Sequence, residues 1–144
     1  MNVQYWIDPR DKPGLLRVMM NTLAGDAHIS FEGDLSRCVF PEHLKPSGDA
    51  TETLRRWDGT RKDFVVLPLE PDAVAPILDV VLPERRYLDD IIHIQIERLG
   101  KMEFASYDNF HRQCVMCYAG VETALLDQLK SSGVIRSWER ASAD

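Results

Sequence analysis

The 144-residue chain is short of cysteine, has no glycine-rich loop and lacks any long apolar run, and each shortage removes a class of protein. Three cysteines cannot all pair within one chain, and a domain of this length buries enough surface to fold without disulfides. Reduced thiols in a reducing compartment are therefore expected. No apolar stretch approaches the roughly 20 residues of a membrane-spanning helix. The opening MNVQYWIDPRDKPG has neither the basic flank nor the apolar centre of a secretory leader, so a cytoplasmic protein without a membrane partner is expected. The eight glycines are scattered. Neither GxGxxG nor GxxxxGK occurs, and GxSxG and HExxH are also missing, so no familiar nucleotide cradle, serine elbow or zinc helix is expected. No cofactor and no catalytic residue are expected.

What is present resembles an ordinary globular composition, with 44% hydrophobic and 28% charged residues. The expected fold class is α/β of the α+β type, a single domain over residues 1–144 in which a mainly antiparallel sheet carries two or three packed helices. The formal net charge of −6 argues against direct nucleic-acid binding, which needs a basic face. The excess is unevenly placed. Residues 1–62 hold nine acids and nine bases, and 111–144 hold four of each, whereas 63–110 hold ten acids and four bases. Such a field steers a basic partner toward the middle of the chain.

Along the chain, NVQYWID predicts a strand ended by Pro9, and Leu15, Leu16, Met19, Met20 and Leu23 recur at helical spacing after Pro13. HISFEGD predicts a strand whose EGD end is a hairpin turn or a bulge, with RCVF as a short strand of its own. Residues 41–62 change character, rich in Pro, Ser, Gly, Asp, Thr and Arg, with Leu44, Leu54 and Trp57 as apolar anchors. This is a long irregular segment, functional or mobile, with room for one or two helical turns over Thr51 to Trp57. FVVLPLEP predicts a buried strand in which Pro68 indicates a sheet edge or an irregular end, and AVAPILDVVLP a short helix. IIHIQIER alternates, with Ile92, Ile94 and Ile96 on one face and Ile91, His93, Gln95 and Glu97 on the other. A turn over Leu99, Gly100 and Lys101 leads to MEFASY, and RQCVMCYA follows the DNFH loop, giving a three-strand meander. VETALLDQLKSSG predicts an amphipathic helix stopped by Gly133, and VIRSWE a last strand.

The chemically suggestive residues weaken under this pattern. Cys114 and Cys117 have the spacing of a metal knuckle, but in a strand residues three apart point to opposite faces, so no metal site is expected and buried thiols are. Asp108 and His111 sit in a turn, where Asp is favoured for its bonds to nearby backbone. The basic group Arg55, Arg56, Arg61 and Lys62 around Trp57 is surrounded by acids, and intramolecular pairing is expected there.

The run IERLGKMEFASYDNFHRQCV followed by ALLDQLKSSGVIRSW resembles, from about Asp63 to Trp138, small bacterial immunity proteins of polymorphic-toxin and contact-dependent growth inhibition systems. The resemblance implies a small acidic protein, free of catalytic residues, that neutralises a cognate toxin, often a basic nuclease, by covering part of its surface. The expected partner-binding residues are Asp89, Asp90, Glu97, Glu103 and Asp108, with Tyr107 and Phe110 as anchors. Two alternatives remain open: a small cytosolic enzyme using the Asp108, His111 and Cys114 region, and a non-catalytic subunit of a larger assembly.

Overall fold

The first strand, β1 (Gln4–Pro9), stops at its proline, and Asp11 then caps a helix by accepting the backbone N–H of Gly14 at 3.0 Å, with Pro13 in the first turn. The helix, α1 (Lys12–Leu23), turns Leu15, Leu16, Met19, Met20 and Leu23 to one stripe, and all five are fully buried. The structure is a computed structural model that describes residues 3–85 and 89–141. After α1 come β2 (Ala27–Gly33), β3 (Asp63–Leu69), α2 (Val74–Val81), β4 (Ile91–Arg98), β5 (Lys101–Ser106), β6 (Val115–Tyr118), α3 (Thr123–Ser131) and β7 (Ile135–Arg140).

The seven strands form one sheet in the order β3-β2-β4-β5-β6-β1-β7, and every neighbouring pair is antiparallel. The fold is the mixed α/β domain with a mainly antiparallel sheet that the sequence predicts. The β4-β5-β6 meander and the last strand are present, and Pro68 lies on an edge strand. One face is apolar: Ile29 and Phe31 of β2, Ile94 and Ile96 of β4, Phe104 of β5 and Cys117 of β6 join the buried faces of all three helices in a single core. None of the described helices is long and apolar enough to cross a membrane.

The other face is divided. Its register places Glu32, Ser30 and His28 of β2 opposite His93, Gln95 and Glu97 of β4, and a second row runs Gln95, Ala105, Met116, Trp6 and Glu139 across five strands. Leu44 is buried in the main core and Ser47 bridges to Val66 at the sheet edge, after which residues 48–62 form a strap over the β3-β2-β4 half, where Leu54 is fully buried against Phe64 and Val66 with Met102 beside them. Met102 of β5 marks the border of that small apolar cluster, and its described residues include none from β6, β1 or β7.

Three local expectations are corrected. RCVF is irregular rather than a strand, because Phe40 stacks on Phe31 (5.9 Å, 17°) instead of entering a ladder. Thr51 to Trp57 makes no helical turn; the Thr51 and Gln95 side chains take up its backbone groups. In β4 the expected faces hold from His93 onward but not before, since Ile91 is buried and Ile92 half-exposed. The cause is a bulge, where Glu32 faces His93 but Gly33 faces Ile91. Gly33 lets the backbones approach there, as a Cβ would lie 2.1 Å from the Asp90 carbonyl oxygen. EGD is thus the bulge and not the hairpin turn.

Candidate partner-binding groove

The acidic residues singled out by sequence do not form one patch. Asp89 and Asp90 precede β4 and Glu97 lies near its far end, about seven residues away or ~23 Å along the strand. Glu97 is only 7% exposed and is used internally, bonded to His28 Nδ1 at 2.6 Å and accepting the Gly100 N–H at 2.8 Å. Glu103 accepts the Gly120 N–H at 2.9 Å, and Asp90 pairs with Arg37. Phe110 is 3% exposed and belongs to the main core, so it is no surface anchor. Tyr107 and Asp108 do meet in one groove, and Asp89 and Asp90 line a second depression that shares Lys62 and Ile92 with it.

That groove is organised by an unusual turn. Asp108, Asn109 and Phe110 have φ of 53°, 55° and 59°, three successive left-handed residues, which need outside support. The Asn109 N–H donates to the Ile92 carbonyl at 2.8 Å, its side-chain amide donates to the Asp89 carbonyl at 3.2 Å, and Lys12 Nζ donates to its Oδ1 at 3.4 Å. Phe110 fixes the far end in the core. The turn aims the Asp108 N–H at His93 Nδ1, 3.1 Å away. With Nδ1 accepting, the ring proton of neutral His93 sits on Nε2 and is donated to Asp58 Oδ2 at 2.7 Å. This bond, with Lys62 adding to it, holds the Asp58 carboxyl below its usual value. Both ring nitrogens are engaged, so His93 ties the strap to the turn after β5.

Asp58 and Trp57 are pinned from below as well. Glu32, 1% exposed, accepts the Trp57 N–H at 2.7 Å and the Asp58 N–H at 2.9 Å, one with each carboxylate oxygen. Gln95 donates to the Arg55 carbonyl at 2.7 Å and accepts its N–H at 3.4 Å. Thus fixed, the Trp57 indole stacks on Tyr107 with centroids 4.1 Å apart and planes 23° from parallel. Burial pushes the Tyr107 phenol up to about 12, so it stays protonated. Trp6 contributes the other wall and Met116 and Cys114 line the space between, giving an open groove of roughly 580 Å³. Trp57 is 60% exposed and Trp6 36%, the two exposed aromatics among the described large hydrophobic residues.

Sequence reasoning passed over Trp6, Asp58 and His93, and read Trp57 only as an anchor within a basic group. Local sequence offers no signal for them: Glu32, which pins Trp57 and Asp58, alternates with Ile29 and Phe31 on the polar side of HISFEG and reads as a solvent-facing carboxylate.

The enzyme alternative gains little from the geometry. Cys114 faces the groove, whereas Cys117 is fully buried with its Sγ 4.0 Å from Met19 Sδ, and burial pushes its thiol up. His111 Nδ1 accepts the Gln113 N–H at 3.2 Å. Among the described residues no side-chain hydrogen bond joins Asp108, His111 and Cys114, and no three His, Cys, Asp or Glu side chains are arranged to hold a metal ion. No protein-family model, curated protein or solved structure matches the chain.

Proposed function

We propose that the protein is a non-catalytic binding protein that neutralises a cognate bacterial toxin, with the Trp57–Tyr107 groove and the acidic depression beside it as its docking surface. The observation that carries this function is an exposed indole on a rigid mount. Trp57 is held by backbone bonds to a buried carboxylate and by stacking on Tyr107, yet most of its surface faces outward. Large aromatics fixed before encounter lose little entropy on binding and dominate interface energetics. Covering the exposed part of Trp57 is worth roughly 2–4 kcal/mol. The net charge of −6 and the acids Asp58, Asp89, Asp90 and Asp108 around the site suit a basic toxin surface.

The test is capture of the C-terminal domain of a large secreted toxin encoded beside this gene. Binding is expected, Trp57→Ala should weaken it about tenfold or more, and neutralisation should survive His111→Asn, a member of the enzyme alternative that lies outside the groove lining. Capture indifferent to Trp57→Ala, or neutralisation abolished by His111→Asn, would overturn the assignment.

A further inference from the structure

The groove also specifies what it holds. Two grooves meet at Lys62 and Ile92, which line both. Among the described residues, six acids, Asp34, Asp58, Asp63, Asp89, Asp90 and Asp108, and two bases, Arg61 and Lys62, line the combined surface. An anionic or neutral occupant is disfavoured. Several acids are already engaged: Asp58 with His93 and Lys62, Asp90 with Arg37, and Asp63 with the Leu35 N–H. Among the described residues the Asp108 carboxylate has no such partner, and it lines the aromatic end beside Trp57, Tyr107 and Trp6.

An aromatic wall, a thioether floor and an unengaged carboxylate form a particular combination. A lysine ammonium is compact and strongly hydrated, whereas a guanidinium is planar, weakly hydrated and able to lie on an indole while its edge meets a carboxylate. The three-carbon stem of an arginine would pass over Met116, an adaptable apolar surface. We propose that this groove takes an arginine side chain from the partner, its guanidinium laid on Trp57 and paired with Asp108. This deepens the toxin-binding function by naming the partner chemistry at the same site.

The three tryptophans provide the readout. Trp6 and Trp57 line the groove, while the Trp138 indole N–H is bonded to Asp127 at 3.0 Å, away from it. The full chain, labelled with nitrogen-15, is titrated with the blocked tripeptide Gly-Arg-Gly, its lysine counterpart and its citrulline counterpart, and the indole N–H signals are followed by NMR. The arginine peptide is expected to shift Trp6 and Trp57 saturably, with a dissociation constant of about 1–10 mM for one side chain. Lysine should bind several-fold more weakly and uncharged citrulline should have no effect. Asp108→Asn should reduce the arginine response several-fold with the Trp138 signal in place, which shows that the variant is folded. Equal shifts from citrulline, equal movement of Trp138, or an unchanged response in Asp108→Asn would overturn the proposal. If the arginine peptide binds but no toxin domain is captured, the toxin function fails and the groove assignment stands. If the toxin is captured and the arginine peptide gives no response, the groove assignment fails and the function stands.

Discussion

Leu99 is a poor residue for the position it holds. It has φ of +54°, is followed by Gly100 at +80°, and is 74% exposed, so it sits in the first central position of a tight hairpin turn between β4 and β5. Two successive left-handed residues are the pattern of a type I′ turn, which favours Asn followed by Gly. A leucine there is strained and packs little. Leu99→Asn is expected to stabilise the protein by about 0.5–1 kcal/mol, raising Tm by a few degrees in a thermal melt; an unchanged or lower Tm would contradict it. The hairpin itself was legible, because the Leu-Gly pair interrupts two alternating runs. Gly33 was only half legible. Its presence signalled a turn or bulge, but the choice depends on Asp90, some 57 residues later, whose carbonyl leaves no room for a Cβ.

At the scale of elements, the strap shows where alternation misleads. The polar face of β4 reads as a solvent face, yet His93, Gln95 and Glu97 are all buried. They are covered by a segment whose composition announced only irregularity. Nothing in one strand states that a loop will lie on it. Glu32 follows the same rule, since its place in the alternation of β2 reads as solvent-facing and it is fully covered. Glu32→Ala leaves the Trp57 and Asp58 N–H groups without their acceptor, which costs about 2–4 kcal/mol when they stay buried. The strap is therefore expected to lift before the sheet unfolds. Limited proteolysis should show new cleavage within 48–62 while amide exchange in β1 and β6 stays slow. Loss of protection throughout the sheet at the same rate would show that the strap and sheet are one cooperative unit.

The whole molecule presents its thiols unequally. Cys117 is fully buried on the core side of β6 with its thiol pushed up by burial, and Cys38 is half-buried and pushed up as well. Cys114 faces the open groove. Under native conditions Cys114 should alkylate first and Cys117 only as fast as the molecule globally unfolds, a difference read by mass spectrometry at increasing urea. Cys117 reacting as fast as Cys114 in the absence of denaturant would contradict this placement. The divergence of the two cysteines was legible from strand parity alone. The groove was not, because its walls come from β1, the strap and the segment after β5, three places that no local pattern connects.

The position of β1 sets a schedule for the nascent chain. It lies between β6 and β7, and Trp6 pairs with Met116 and Glu139, which follow it by more than a hundred residues. At about 5–20 residues per second of synthesis, the first strand made must wait on the order of 10 s for either neighbour. During that wait its ladder groups on both sides are open and Trp6 is uncovered. The helix that follows can shield the apolar side early, since its contacts are local. The groove gains its Trp6 wall only when β1 pairs with β6 and sets Trp6 beside Met116.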